Sequence, residues 1–321
     1  MNTQNLSGNL KFGFKIILFS CIVMFFYTQN VWSESLHKYK GEITVVMSNT
    51  LKPYEEAYDG LVADGRFQTT LLDMQGKPEL SSWIVREIRE TSPKAIVAIG
   101  MLAAQTVTLN FNDIPVIFLM VLSSETSDLK SNKITGIVLD LSYSDLFRCF
   151  DYIKPNIKNI GLIINPNKSN VDLGKLEKIA LAKNANLVVA NVSSEKDIPS
   201  ALRQLEKSID AFLLLPDPAI VNRESFSYIL ETTLKFNIPL ISYSESHVKV
   251  GALFSISPIY FDIGKQCTSV LEKILNGHNV SEISVAYPHE YKMTVNHKIA
   301  KNFGLEITIS REIEPILVEF P

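Results

Sequence analysis

Cysteine is scarce in this sequence, and its scarcity excludes a disulfide framework. The 321 residues include three cysteines, at Cys21, Cys149 and Cys267. Cys21 lies in an apolar N-terminal segment, and the other two stand far apart within patterns typical of helices. Two isolated cysteines in a chain of this length do not indicate a small fold held by disulfides. We therefore expect Cys149 and Cys267 to be buried thiols rather than a bridge.

The motifs of the common catalytic, metal and phosphate sites are missing as well. None of the five histidines stands three or four residues from another, the spacing at which a helix presents two metal ligands on one face. The sequence contains no Gly-x-Ser-x-Gly nucleophile elbow, no Gly-x-Gly-x-x-Gly motif and no phosphate-binding P-loop. We therefore predict that the protein is not an enzyme and uses no metal ion or cofactor.

Basic residues are not in excess, which argues against a nucleic-acid partner. Lys and Arg number 31 against 34 Asp and Glu, and the formal net charge is −3. A protein that binds a phosphate backbone needs a concentration of positive charge. We expect a small-molecule partner and no nucleic acid.

One apolar run near the N-terminus is typical of an export signal. Two lysines precede a short apolar core at residues 16–27, and Val31-Trp32-Ser33 offers the small side chains that signal peptidase requires. The core is short for a membrane span. We predict that residues 1–33 are a cleaved signal peptide and that the mature protein is periplasmic. An uncleaved membrane anchor is the alternative, and a lipoprotein signal at Cys21 is a weaker one.

The sequence does contain five short apolar runs that each stop abruptly in small polar residues. They are residues 95–100, 115–124, 159–167, 211–218 and 239–246. Continuously apolar runs of this length are typical of strands buried on both faces of a parallel sheet. Ligands of open α/β sheets bind outside the carboxyl ends of the strands. The polar residues at those ends therefore predict a binding site.

Predicted strands alternate with predicted helices from Glu42 onward, which indicates an α/β fold with parallel sheets. The second half of the chain repeats the strand–helix order of the first, and an Ile-Pro pair opens a strand in each half, at 114–116 and 238–240. We therefore predict two similar lobes with a cleft between their strand ends. Among the predicted helices are residues 141–155, 195–208 and 262–277.

A series of short segments along the chain is similar to one bacterial family. The segment NHKIAKNFGLEI at 296–307 follows an Ile-x-Val-x-x-Pro stretch at 283–288. Further matching segments lie, in order, at 95–104, 113–118, 132–137, 153–166, 248–266 and 274–277. Together they resemble the ABC-transporter substrate-binding proteins typified by tryptophan/tyrosine-binding lipoproteins. The resemblance covers roughly residues 42–310 and includes no catalytic fingerprint.

This resemblance implies a type I periplasmic-binding-protein fold, in which two Rossmann-like lobes are joined by three hinge crossings. The implied crossings fall near residues 139–142, 256–260 and 282–288. The implied lobe one is residues 41–140 plus 258–283, and the implied lobe two is residues 141–257 plus 284–315. The helix near residue 262 would return to lobe one, which composition and spacing alone do not show.

The predicted ligand-binding residues are those that follow the buried strands. They are Ser48, Asn49, Gly100, Met101, Leu102, Ser123, Ser124, Asn165, Asn167, Asp217, Tyr243 and Ser244. Hydroxyls and amides can donate or accept hydrogen bonds, and helix N-termini can hold a carboxylate. The alternative is that the same residues only cap helices and form turns.

Asp217 and Met101 bear most directly on the ligand. The family pattern has an acidic residue or Asn just after the predicted strand that begins at residue 211, and Asp217 occupies that position here. A carboxylate there suits a ligand ammonium group. The alternative is an aspartate in a proline-rich turn. Met101 stands where family members often carry a threonine whose hydroxyl would bind a ligand carboxylate, so a backbone N–H would have to serve instead. Tyr54, Tyr243 and Tyr260 could stack on an apolar ligand part or simply pack.

The sequence thus predicts the extracytoplasmic solute-binding component of an ABC importer. It would capture a small organic solute, an amino acid or a related carboxylate, by hinge closure around the cleft. Its partners would be a membrane permease and the ATPase of that permease, and we expect a monomer. One alternative is a ligand-sensing module that presents its ligand to a membrane sensor kinase. The other is an exported α/β enzyme, which would need a nucleophile–base pair.

Overall fold

Two large β-sheets with helices on their faces make up most of the described structure. The computed structural model describes residues 39–129, 131, 133–308 and 316–320, with the side chains of 39–42, 124 and 316–320 excepted. The predicted signal peptide at residues 1–33 lies outside the described residues. Within the part that is described, no helix combines the length and the apolar character that a membrane crossing requires.

The first sheet is entirely parallel and has the strand order β2-β1-β3-β4-β5. Its strands are β1 (Tyr39–Met47), β2 (Phe67–Asp73), β3 (Ala95–Ile99), β4 (Val116–Val121) and β5 (Ile134–Val138). The helices between them are α1 (Lys52–Val62), α2 (Ser81–Thr91) and α3 (Met101–Asn110). Every residue of β3 and β4 is buried, as the continuously apolar runs predict.

The second sheet has the order β14-β12-β11-β10-β9-β7-β8. Its strands are β7 (Asn159–Ile164), β8 (Asn186–Asn191), β9 (Ala211–Leu213), β10 (Leu240–Ser242), β11 (Phe254–Pro258), β12 (Tyr291–Asn296) and β14 (Ile316–Phe320). All neighbours are parallel except β11 and β12, which run antiparallel. A further antiparallel pair joins β6 (Ile153–Lys154) to β13 (Glu306–Ile307).

Helices cover both faces of the second sheet. They are α4 (Tyr143–Leu146), α5 (Leu173–Ala182), α6 (Ile198–Leu205), α7 (Arg223–Lys235), α8 (Glu245–Lys249) and α10 (His297–Asn302), whereas α9 (Tyr260–Leu275) packs on the first sheet. Alternate strand residues enter different cores: Leu213 belongs to one cluster of buried side chains, and Phe212 to another. The fold class predicted from sequence, a two-lobed α/β protein, is confirmed.

Helix α9 follows a strand of the second sheet but packs against α1 of the first. Arg66, just before β2, donates to Glu272 and Thr268 of α9. Gly264 lies so close to α1 that an added Cβ would be 1.9 Å from the carbonyl oxygen of Ala57. The chain therefore leaves the second sheet after β11, packs on the first sheet through α9, and returns to the second sheet at β12.

The prediction of a single helix over residues 141–155 is wrong, because the segment forms a short α-helix followed by a 3₁₀ turn. Only Tyr143–Leu146 is α-helical, capped by Ser142, whose hydroxyl accepts from the Asp145 N–H. The 3₁₀ turn Phe147–Tyr152 follows, and buries four of its six side chains. At about 100° per residue, the buried positions 147, 149, 150 and 152 would point to all sides of a regular helix rather than to one face. The helix predicted over 195–208 similarly begins as a 3₁₀ turn and becomes α-helical only at α6.

Candidate functional site

A cavity of about 510 Å³ lies between the carboxyl ends of the two sheets. Small-molecule sites typically measure about 300–1,000 Å³, so the cavity has room for one small organic ligand. From the first-sheet side and the adjoining crossing it is lined by Leu122, Ser123, Glu125, Asp128, Leu139, Asp140 and Leu141. From the second-sheet side it is lined by Tyr143, Leu146, Lys168, Asn170, Val171, Leu215, Pro216, Asp217, Pro218, Ala219, Val221, Tyr243, Ser244, Ile256 and Pro258, and Tyr260 at the start of α9 completes the lining.

A β-bulge directs the end of β4 into this cavity. Met120 has φ +62, and the pairing of β4 with β5 shifts register between Leu119 and Val121. An extra residue in one strand bends it and re-aims the chain that follows. The residues that follow are Leu122 and Ser123, and both line the cavity.

Ser123, a predicted site residue, holds Asp140 at the cavity wall. The backbone N–H of Ser123 donates to Asp140 Oδ1 at 2.6 Å, and its hydroxyl donates to Asp140 Oδ2 at 2.5 Å. Tyr287, in the segment that precedes β12, lies near Asp140, and its pKa is raised by burial and then by the Asp140 charge. Ser123 therefore lies where two chain crossings meet, and its hydroxyl orients a carboxylate.

Glu125 and Asp128 follow Ser123 in the 3₁₀ turn Ser123–Asp128 and also line the cavity. The pKa of Glu125 is raised, first by burial and then by the negative charges of Asp128 and Asp140, while a hydrogen bond from the Leu122 backbone opposes the shift. Tyr54 of α1 is close enough to Glu125 that its own pKa is raised by burial and by the Glu125 charge. The first-sheet wall of the cavity is therefore acidic.

Asp217 faces the cavity from the second-sheet side. Its carboxylate accepts a hydrogen bond from the Ser169 hydroxyl and a second one from the Ala219 backbone N–H at 2.9 Å. These contacts stabilise the turn after β9, so the turn interpretation and the binding interpretation apply to the same side chain. Asp217 is half-buried, and the carboxylate borders the cavity as well as the turn.

Tyr243 and Ser244 line the cavity beside α8. Ser244 caps this helix, since its hydroxyl accepts from the Ser246 N–H. The His247 ring stacks on Phe226 with centroids 3.9 Å apart and meets the edge of Tyr243 at 5.1 Å. Burial, and then the neighbouring Tyr260, raises the pKa of Tyr243 to about 12. Tyr243 is therefore a positioned ring with a hydroxyl that stays protonated at neutral pH.

The remaining polar lining includes two tyrosines and one lysine. Tyr143 accepts a hydrogen bond from the Asp172 N–H at 3.2 Å, and burial raises the pKa of this tyrosine. Tyr260, at the start of α9, also has its pKa raised by burial. Lys168, in the loop after β7, is the one basic side chain among the lining residues. The lining therefore combines aromatic faces and a single ammonium group with several carboxylates.

Five of the predicted residues lie at strand ends of the first sheet but outside the described lining of the cavity. They are Ser48, Asn49, Gly100, Met101 and Leu102. The buried Ser48 hydroxyl accepts from the Ala103 N–H at 2.9 Å and so caps α3. Gly100 has φ +88, and a Cβ there would be 2.7 Å from the Ser48 hydroxyl and 2.8 Å from the Tyr54 ring. Gly100 is the N-cap residue of α3, Met101 and Leu102 lie in its first turn, and the Asn49 side-chain oxygen accepts from the Thr50 N–H.

Asn165 and Asn167 form a turn rather than part of the described cavity wall. The Asn165 amide donates to the Ser193 carbonyl at 3.0 Å, and its oxygen accepts from the Asn167 N–H at 3.0 Å. Asn165 is buried and Asn167 is exposed. Ser124 lies in the 3₁₀ turn of the first-sheet wall, and its side chain is outside the described set.

Several lining residues were not predicted from the sequence. They are Glu125, Asp128, Asp140, Tyr143 and Lys168. They stand two to seven residues beyond the end of the preceding strand, from Asp140 after β5 to Asp128 after β4. The strand-end rule would have included all of them only if it had been extended by up to seven residues.

Two α/β units with a ligand-sized cavity between the carboxyl ends of their sheets define a class of two-lobed binding proteins. The model of the family described as ABC transporter substrate binding protein matches residues 59–317. The chain belongs to this family, which confirms the family resemblance seen in the sequence. A solute-binding role follows from this membership.

Three relatives illustrate the similarity. An uncharacterized protein of Rickettsia prowazekii (strain Madrid E) is 22% identical over 223 residues, which are 69% of this chain and 70% of that protein. The structure of an ABC domain from Streptococcus pneumonia in complex with L-Trp is 19% identical, covers 87% of this chain and 99% of its own, and has a TM-score of 0.61. The ligand-free, open structure of a substrate binding protein with adhesive properties from Clostridium difficile is 20% identical, covers 88% of this chain and 100% of its own, and has a TM-score of 0.69.

Proposed function

We propose that this protein is the extracytoplasmic solute-binding component of an ABC importer and captures a small organic solute between its two lobes. The observation that carries the proposal is the cavity of about 510 Å³, whose walls come from the carboxyl ends of both sheets. A ligand that contacts both walls stabilises the closed arrangement over the open one. The closed form then docks on a membrane permease, and the ATPase of that permease drives transport.

The lobes proposed for this motion are residues 41–140 plus 258–283 and residues 141–257 plus 284–315. The three segments that cross between them are short, and hinges are typically a few residues that absorb the change of backbone angles. Asp140 of one segment accepts hydrogen bonds from Ser123, and Tyr287 of another segment lies close enough for the Asp140 charge to raise its pKa. The mature chain would act as a periplasmic monomer after removal of residues 1–33.

The ligand class proposed first is an amino acid or a related compound with an amino group. Asp217 supports this proposal because a half-buried carboxylate at the cavity wall suits an ammonium group. Tyr143, Tyr243 and Tyr260 offer aromatic faces for an apolar ligand part. The role requires no covalent chemistry.

A thermal-shift screen tests this proposal. A panel of amino acids, amines, carboxylates and sugars should contain one or a few compounds that raise the unfolding midpoint, because binding to the native state stabilises it. Asp217→Asn should weaken that binding by about 10-fold or more, the usual effect of losing a charged hydrogen-bond partner. The variant retains oxygen and amide groups for the turn.

Asp59→Asn is the matched control, since Asp59 is exposed on α1 and distant in sequence from the lining. It should leave the shift unchanged. Unaltered affinity in Asp217→Asn would contradict the assignment of Asp217. Steady conversion of any panel compound by the purified protein would contradict the binding role itself.

A further inference from the structure

The charges on the cavity wall are strongly unbalanced. Four carboxylates line the cavity, from Glu125, Asp128, Asp140 and Asp217, against the single ammonium group of Lys168. The chain as a whole carries nearly equal numbers of acidic and basic residues. The imbalance is therefore a local property of the cavity and not a consequence of composition.

These four carboxylates form no ion pair with any Lys, Arg or His among the described residues. The ion pairs found there use other carboxylates, such as Asp64 and Glu272 with Arg66, or Glu245 with Lys249 and Lys292. Asp140 and Asp217 accept hydrogen bonds, but only from neutral hydroxyl and backbone groups. Among the described residues, no basic side chain pairs with these carboxylates, and a cationic ligand in the cavity would neutralise them.

Two further observations separate an organic cation from a metal ion. Among the described residues, no three His, Cys, Asp or Glu side chains are grouped closely enough to hold a metal ion. The rest of the lining is largely apolar or aromatic, including Leu122, Leu146, Leu215, Ile256 and the rings of Tyr143, Tyr243 and Tyr260. Apolar walls fit a carbon skeleton, and aromatic faces also attract ammonium groups.

We propose that the cavity selects a net-cationic organic solute: an amine with an apolar body, or an amino acid with a cationic side chain. Its ammonium group lies at the acidic wall of Glu125, Asp128 and Asp140, and its apolar part packs on the tyrosines. Lys168, on the opposite side, can pair with a ligand carboxylate when one is present. This inference rests on the solute-binding function proposed above and narrows its ligand class, because a simple carboxylate is repelled.

The charged groups around Glu125 agree with this assignment. Asp128 lies on the same turn, Asp140 follows β5, and Tyr54 faces Glu125 from α1. None of these neighbours is positive. Burial together with the two carboxylates raises the pKa of Glu125, and a bound cation would relieve the same repulsion.

A charge-graded set of probes tests the proposal. The aromatic probes are 2-phenylethylamine, phenylalanine and 3-phenylpropionate, which share a carbon skeleton but are cationic, zwitterionic and anionic. Lysine and arginine represent cationic amino acids. Titration calorimetry should show that at least one cationic probe binds about 10-fold or more tightly than the anion of the same skeleton. The affinity of that probe should fall as salt is raised.

Charge-removing variants test whether the acidic wall binds the cationic probe. Glu125→Gln and Asp128→Asn keep side-chain size and remove charge, and each should weaken the cationic probe by about 10-fold. Glu90→Gln is the matched control, because Glu90 is exposed at the end of α2 and outside the described lining. Circular dichroism melting curves check that each variant is folded.

Failure of this inference is distinguishable from failure of the proposed function. If 3-phenylpropionate or zwitterionic phenylalanine binds more tightly than every cationic probe, the charge selection is overturned while solute binding stands. If Glu125→Gln and Asp128→Asn bind the cation as the wild type does, the acidic wall is not its site. If the folded protein binds no compound of the full panel, both proposals fail.

Discussion

At the residue scale, His247 shows how the fold controls the protonation of a group beside the cavity. Its ring lies between Phe226 and Tyr243, and Nδ1 is 2.5 Å from the Ser242 hydroxyl. Burial lowers the pKa of His247 from 6.5 to about 4. A neutral imidazole can accept the serine proton at Nδ1, whereas a protonated ring would lose that hydrogen bond and place a charge among apolar rings.

The sign of the resulting pH dependence follows from this lowered pKa. Below pH 6.5 the unfolded chain takes up a proton at His247 that the folded protein does not bind. The contribution of neutral His247 to the free energy of unfolding is therefore fully present above pH 6.5 and is lost as the pH falls toward about 4. Denaturant unfolding across this range should show a shallower decline in stability for His247→Gln than for wild type. His289→Gln, at an exposed histidine, should decline like wild type, and identical curves for all three would contradict the account.

Residue-scale reasoning from the sequence selected some side chains that line the cavity, and their role in ligand binding stays a prediction. Asp217, Tyr243 and Ser244 lie within a few residues of β9 and β10, and all three line the cavity. Ser48 occupies an equivalent position after β1, but its hydroxyl caps α3. Which strand-end residues face the ligand depends on the local turn, and the apolar pattern of the strand carries no information about that turn.

At the element scale, the contact between α1 and α9 decides how the chain is shared between the two sheets. Both helices carry a glycine at the contact: a Cβ on Gly60 would be 1.8 Å from the Phe261 carbonyl oxygen, and one on Gly264 would be 1.9 Å from that of Ala57. The backbones approach so closely that only glycine fits at either position. Sequence periodicity predicted α9 as a helix but could not show which sheet it covers.

This contact gives a stability prediction. Gly264→Ala should destabilise the protein by about 2–3 kcal/mol, because inserting a methyl group forces two backbones apart. Gly174→Ala is the matched control, since Gly174 is exposed in α5 and an added Cβ there meets only the Asp172 carboxylate at 3.6 Å. That control should raise stability by about 0.5–1 kcal/mol through helix propensity. Equal effects of the two substitutions on the free energy of unfolding would show that the helices are not in tight contact.

Elements near the C-terminus were the hardest to predict. Helix α8 spans five residues, too few for a helical period to be visible, and β12 runs antiparallel to its neighbour β11. Lys292 of β12 nevertheless fixes α8, because its ammonium group donates to Glu245 at 2.5 Å. The pKa of Glu245 is lowered by hydrogen bonds from Lys249 and Lys292. Such long-range ion pairs fix α8 and, with it, the position of Ser244 at the cavity. No local sequence pattern predicts these pairs.

At the scale of the whole molecule, the proposed function couples ligand binding to a motion of the lobes. Ligand contacts on both walls of the cavity would bias the equilibrium between open and closed arrangements. The two native thiols allow this motion to be measured, because Cys149 and Cys267 are both buried and burial raises the pKa of each thiol. Introduced surface cysteines should therefore be labelled selectively.

The most direct test of the central claim is the distance between spin labels on opposite lobes. Labels at Glu55→Cys on α1 and Glu177→Cys on α5 occupy exposed positions beside the two sheets. Pulsed electron–electron double resonance should give a shorter distance between the two spin labels when the ligand is saturating than when it is absent. The ligand is 2-phenylethylamine or the panel compound that binds most tightly. A control pair on one lobe, Glu55→Cys with Glu90→Cys, should not change. An interlobe distance that stays constant at saturation would contradict capture by closure of the cleft.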